Sequence, residues 1–150
     1  MKSLTVFLDT SVILSGLISS TGGSGKLLTA GAKKKIKLIA TEKIVREAAS
    51  NLSKVNIQTQ AFENLLSSRT IQVINTPSEE KIMKFIPMIN DPGDAHVLAG
   101  VVHSRATILI SLDKKHILVS KVKRTLRPIK IFSPKQFWKW LRQTKPLNKL

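Results

Sequence analysis

Residues 90–113 read NDPGDAHVLAGVVHSRATILISLD, a capped helix running into a buried strand. Asp91 is placed to cap the helix, Pro92 takes the first helical position, where a missing N–H costs nothing, and Asp94 falls in the first turn. Val97, Leu98, Val101 and Val102 recur at helical spacing. Thr107 to Leu112 is then an apolar, partly β-branched run, short enough for a strand buried on both faces. Asp113 stands just past that strand's carboxyl end, where open parallel sheets bind their ligands.

The same alternation repeats on either side. Leu4 to Leu8 is a first strand, followed by Asp9, Thr10, Ser11 and a helical pattern. Ile36 to Ala40 is a second, followed by Thr41 as N-cap and a helix, TEKIVREAASNL, whose Ile44, Ala48 and Leu52 are four apart. Gln58 to Ser68 predicts a helix, Thr70 to Ile74 a third strand and Ser78 to Ile89 another helix. Beyond the opening stretch, Ile129 to Phe132 is a fifth strand and Pro134 starts a last helix with Phe137 and Leu141 on its buried face. Trp138 and Trp140 are two residues apart and cannot share that face, so one of them is expected to pack elsewhere. Ser19 to Gly25, SSTGGSG, reads as a loop or mobile lid. It is not a phosphate-binding loop, because Leu27 stands where Ser or Thr should follow Lys26 and no strand precedes it. Five apolar strands separated by helices predict an α/β protein, a three-layer α/β/α domain on one five-stranded parallel sheet. Residues 1–142 are expected to form that domain and 143–150 a basic, frayed tail.

Charge is the strongest compositional signal: 25 Lys plus Arg against 9 Asp plus Glu, for a net charge of +16. The cations cluster, at Lys33, Lys34 and Lys35, at Lys114 and Lys115, and through residues 121–127 and the C-terminal segment. Such an imbalance predicts an anionic polymer as partner, and nucleic acid before membrane or acidic protein. Aromatic residues are few and tyrosine is absent, so phosphate contacts should outweigh base stacking. Cysteine is absent, which excludes disulfides and thiolate metal sites. No stretch approaches a membrane span, and the apolar run at Leu4 to Leu8 is interrupted by Asp9 before it could serve as a signal sequence. A cytoplasmic protein without a membrane partner is the expectation.

In an acid-poor chain, the positions of the acids are informative. Right-handed crossovers bring all strand ends of one kind to one side of the sheet, so Asp9 and Asp113 should approach each other there. Asp94 sits in the first turn of the helix leading to the fourth strand, and Glu47 lies about 60° off the apolar stripe of its helix. Each has a second reading: Asp9 and Asp113 as helix caps, Glu47 as a surface acid paired with Lys43 or Arg46. If they converge, two carboxylates about 5 Å apart repel by roughly 3 kcal/mol at an effective dielectric near 20. A cation must then offset that cost. With no cysteine and no histidine at ligand spacing, His96, His103 and His116 being read as surface or packing positions, an all-oxygen site for Mg²⁺ or Mn²⁺ is expected. Next to a basic surface, such a metal suits phosphodiester hydrolysis.

Taken together, LDTSVILSGL, TEKIVREAASNL, DPGDAHVLAG, ISLD and IKIFSPKQFWKWL occur in an order and at spacings by which the chain resembles the PIN-domain ribonucleases, most closely the VapC-like toxin branch. The resemblance covers nearly the whole length. It implies sheet order 3-2-1-4-5, metal-dependent endonucleolytic cleavage of single-stranded RNA, homodimers, and in many members a toxin silenced by a small antitoxin. By the same match Asp9, Glu47, Asp94 and Asp113 inherit the metal and catalytic role, Asp91 an accessory one, and Ser11 and Ser111 a supporting hydrogen-bond role. Two positions depart from the family's pattern, Leu112 where glycine is common and His116 where a further acid is common. The alternative is a catalytically silent PIN-like RNA-binding or regulatory module. A phosphatase of the haloacid-dehalogenase type would carry a second aspartate where Ser11 stands.

Overall fold

The computed structural model describes residues 4–144. Five strands, β1 (Thr5–Leu8), β2 (Lys37–Thr41), β3 (Ile71–Ile74), β4 (Ile108–Ile110) and β5 (Lys130–Phe132), form one parallel sheet in the order β3-β2-β1-β4-β5. Helices cover both sides, so the fold is the predicted three-layer PIN-like α/β/α arrangement. Val6 lies opposite Leu38 on one side and Ile108 on the other, and Val6, Phe7, Leu8, Leu109 and Ile110 are fully buried. This double burial explains why the central strands are continuous apolar runs rather than alternating ones. β3, at the edge, leaves Val73 39% exposed.

Among the described residues, eight α-helices lie between or after these strands: α1 (Thr10–Ile18), α2 (Gly23–Ala32), α3 (Glu42–Asn51), α4 (Thr59–Ser67), α5 (Glu79–Met83), α6 (Ala95–Ser104), α7 (Ser120–Thr125) and α8 (Pro134–Thr144). Thr41 caps α3 by accepting from the Ile44 N–H. The α6 entry is as the sequence predicts: Asp91 accepts from the Gly93 N–H, and Pro92–Asp94 form a 3-10 turn that leads directly into the helix. Gly100 sets how deeply α6 can sit. A Cβ there would lie 2.7 Å from Phe7 Cζ and 3.0 Å from Thr41 Cγ2, so only glycine permits this approach to β1 and to the start of α3.

Two expectations need correction. The predicted helix over Ser78 to Ile89 is broken: α5 ends at Met83 and a 3-10 turn covers Ile86–Met88. Pro87 lacks the N–H that would continue the α-helical hydrogen bonds past Met83. The loop expected over Ser19 to Gly25 is shorter, because α2 begins at Gly23. Gly25 is there for contact rather than freedom, since a Cβ on it would meet Ser19 O at 2.2 Å. Both tryptophans pack: Trp138 Nε1 donates to Gly23 O at 2.9 Å, and the Trp140 ring lies 5.3 Å from that of Phe132. Of the predicted tail, Gln143 and Thr144 complete α8, and 145–150 lie outside the described residues.

Candidate metal centre

The sheet's topology decides where the acids meet. β1 and β4 are neighbours running the same way, so Asp9 and the Ser111 to Asp113 turn leave the sheet side by side. The Asp9 N–H donates to Ile110 O at 3.1 Å and continues the ladder one residue past the strands. An open cleft of about 510 Å³ lies there, lined among others by Asp9, Glu47, Asp94, His96 and Asp113. All four acids singled out from the sequence therefore border one cavity, each brought by a different element.

Asp9 does not cap α1 in the usual way. Its Oδ1 accepts only from the adjacent Thr10 N–H at 2.8 Å, and Oδ2 accepts from Ser111 Oγ at 2.7 Å. Burial pushes its carboxyl above the ordinary range, the Ser111 and Thr10 hydrogen bonds oppose that, and Asp113 adds to it. Ser111, itself fully buried, also accepts from the Asp113 N–H at 3.0 Å, so one hydroxyl ties the two aspartates together. Ser11 Oγ accepts from the Leu112 N–H at 3.2 Å and holds the turn between them.

Asp113 is a cap that also borders the cleft. Oδ1 caps the following turn, accepting from the Lys115 and His116 N–H groups at 3.0 and 2.8 Å, which leaves Oδ2 on the cleft side. Asp94, in contrast, makes no side-chain cap to α6. Its carboxyl is pushed up by burial and by Asp91, Asp113 and Asp9. Glu47 is drawn to the site rather than to the surface: Oε1 accepts from Thr10 Oγ1 at 3.1 Å and stands 3.3 Å from His96 Nε2. Burial raises its carboxyl, but His96, Thr10 and Lys43 together outweigh this and hold it low. The alternative partner Arg46 instead faces Glu42, at 3.8 Å on the surface.

A profile of the PIN domain matches residues 5–115, from β1 to just beyond Asp113. The chain belongs to the PIN-domain family. Members of that family are nucleases. Among solved structures, the fold is similar to the VapC20 toxin of Mycobacterium tuberculosis, described as cleaving the sarcin–ricin loop, with a TM-score of 0.55 and 15% identity over 73% of this chain and 91% of that one. At that identity the likeness concerns the fold. A search of curated proteins finds no significant match.

Three residues of this PIN domain's cleft were not singled out by the sequence. His96, read as a surface or packing position, is 3% exposed and directed at Glu47, and its Nδ1 is buried without a hydrogen-bond partner. Thr10 orients Glu47 from the first residue of α1. His116, also read as a surface position, reaches two of the cleft's acids: Nδ1 lies 3.4 Å from Asp94 Oδ2 and 3.4 Å from Asp113 Oδ2. The expectation that no histidine reaches the acids is thus corrected. The polarity of His96 on an otherwise apolar helix was the available signal, whereas linear spacing could not bring His116 to Asp94. Asp91 is an exposed cap, yet it offers an oxygen within 4.8 Å of ligand atoms of Asp94 and His116.

The lysines divide. Lys114 and Lys115 are exposed directly after Asp113, beside the cleft. Lys33, Lys34 and Lys35 precede β2, at the amino ends of the strands and so at the opposite end of the sheet. Lys34 is occupied there, donating to Ser68 O and Arg69 O at 3.3 and 2.9 Å. Lys33 and Lys35 instead border a separate groove of about 570 Å³ between α2 and α8, with Lys26, Arg142 and Trp138. Among the described residues no helix is long and apolar enough to cross a membrane.

Proposed function

We propose that this PIN domain is a divalent-metal-dependent endoribonuclease that cuts single-stranded RNA, of the kind that acts as the toxin of a toxin–antitoxin pair. The observation that carries the reading is the convergence of Asp9, Glu47, Asp94 and Asp113, from four elements, on one open cleft. The donor set fits a cation: Asp113 raises the proton affinity of both Asp9 and Asp94, and Asp9 adds to that of Asp94. Asp9, Asp94, Asp113 and Glu47 would hold Mg²⁺ or Mn²⁺, with Asp91 at the rim. Such a cation, when bound, supplies activation of the attacking water and neutralisation of charge on the phosphate in an in-line displacement.

The chain's own groups do the positioning. Ser111 fixes Asp9 and the Asp113 backbone, Ser11 fixes the turn at Leu112, and Thr10 with His96 holds Glu47 ionised and oriented. Lys114 and Lys115 flank the cleft and supply phosphate contacts for an RNA strand. An open cleft flanked by lysines suits an unpaired strand, whose backbone bends into it more readily than a duplex does. A small antitoxin partner, a homodimer and a cytoplasmic setting belong to the same reading, supported by the family and by the likeness to a VapC toxin fold.

The test is cleavage of a single-stranded RNA with Mn²⁺ or Mg²⁺ against EDTA, comparing the wild type with Asp9→Asn and Asp94→Asn. Metal-dependent cleavage by the wild type alone supports the proposal. RNA binding unchanged by EDTA and by both substitutions, without cleavage, would replace it with the silent RNA-binding module.

A further inference from the structure

His116 stands against two of the cleft's acids, Asp94 and Asp113. Its backbone N–H is pinned by Asp113 Oδ1 at 2.8 Å, which anchors the residue one turn past the strand end. The ring then reaches back, so that Nδ1 stands 3.4 Å from one oxygen of Asp94 and 3.4 Å from one of Asp113. Those two aspartates are contributed by separate segments, and the imidazole nitrogen is the atom they share. The three side chains are only a quarter to a third exposed, at 23% for His116, 29% for Asp94 and 26% for Asp113.

The spacing is that of an ion pair and also suits two ligands of one ion. Donor atoms about 2.1 Å from a common ion are about 3.0 Å apart at octahedral angles and about 3.4 Å apart at tetrahedral ones. The nitrogen-to-oxygen separations fall at the upper edge of that range. Asp91 extends the set, because it, Asp94 and His116 can each present a ligand atom with all three inside 4.8 Å. Imidazole is a poor partner for Mg²⁺, which demands oxygen and holds its waters, and an acceptable one for first-row transition ions.

We propose that His116 Nδ1 is a direct metal ligand, which makes the centre a mixed oxygen–nitrogen site that selects Mn²⁺ over Mg²⁺. The inference rests on the metal-dependent reading above and narrows it. His96 does not compete for this role on the same side, since its Nε2 faces Glu47. The selectivity comes from the donor atoms and is a property of binding, separate from turnover.

Pulsed EPR on the Mn²⁺-loaded full-length protein reads the ligand directly. The wild type should show the ¹⁴N coupling of a coordinated imidazole, converted to the ¹⁵N pattern by ¹⁵N-histidine labelling, and His116→Gln should lose it while retaining its melting temperature. By calorimetry, His116→Asp should lower the ratio of Mn²⁺ to Mg²⁺ affinity, because an all-oxygen set lacks the nitrogen that favours the transition ion. Mn²⁺ bound without nitrogen coupling overturns the ligand assignment and leaves the nuclease reading intact. Coupling that survives in His116→Gln also overturns it and transfers the role to His96. No Mn²⁺ binding at all overturns both this inference and the metal-dependent reading. The wild-type spectrum decides the first point even if a variant fails to fold.

Discussion

The Ser111 hydroxyl donates to Asp9 Oδ2 across 2.7 Å, joining the end of β4 to the end of β1 although 102 residues separate them in the chain. The same oxygen accepts the Asp113 N–H, so the geometry of two acids depends on one buried group. Ser111→Ala should therefore weaken Mn²⁺ binding by about 10- to 100-fold, the usual cost of losing an orienting partner. Stability should fall by only about 1 kcal/mol, the net worth of a typical hydrogen bond. Titration calorimetry and a urea melt on the same sample separate the two effects.

Asp9 and Asp94 have raised proton affinity in the folded protein, from an ordinary value of 3.8. A carboxyl raised on folding destabilises the fold when ionised: the penalty is absent below its unfolded value and complete above its folded one. Metal-free protein should accordingly recover this stability as pH falls from neutral through the folded values toward about 4. Glu47 works in the opposite sense, contributing stability above its ordinary value of 4.5 that is lost as pH falls through its lowered folded value. Asp9→Asn isolates the first effect. In EDTA at pH 7 it should melt above the wild type, and the gap should close as the wild-type carboxyl takes up its proton. A gap that is constant with pH would show that Asp9 titrates normally.

Gly100→Ala places a methyl group 2.7 Å from Phe7 Cζ, and Phe7 is fully buried with no room to retreat. Overpacking of this kind costs about 1–3 kcal/mol. The variant should unfold at lower urea with an unchanged slope. Because α6 carries His96 and follows directly from Asp94, it should also bind Mn²⁺ less tightly than the wild type.

RNA affinity should fall with salt, with a log–log slope of about 0.7 for each phosphate neutralised on a single strand. Lys114→Ala and Lys115→Ala, beside the cleft, should each flatten that slope by about this amount. Lys33→Ala and Lys35→Ala, at the far end of the sheet, should change it less. Filter binding across a salt series distinguishes the two pairs, and equal effects would extend the RNA path into the groove between α2 and α8.

Much of this architecture was legible because local signals agreed. Strand ends followed by Asp9 and Asp113, and the DPGD entry to α6, each combine a hydrophobic run with a recognisable cap, and the sheet order then brings them together. Glu47 was only half legible: its offset from the apolar stripe placed it near the core, but the groups that orient it, Thr10 and His96, lie on α1 and α6. His116 illustrates the limit. Its contact with Asp113 is local, whereas its contact with Asp94 exists only once β4 lies beside β1 and α6 is docked. Pro87 and Gly25 lay inside spans read as one helix and as a loop. The structure uses one to end a helix and the other to let two helices touch.

Each acid of the cleft comes from a different element, and the last of them, Asp113, arrives after three quarters of the chain has been made. A chain that ends after α6 contains three of the acids but neither Ser111, which orients Asp9, nor the turn that brings His116 to Asp94. The unfinished chain therefore has no assembled centre. The turn after β4 is the last part of the centre to be made, so under the proposed ribonuclease reading a copy truncated before Asp113 should not cleave RNA.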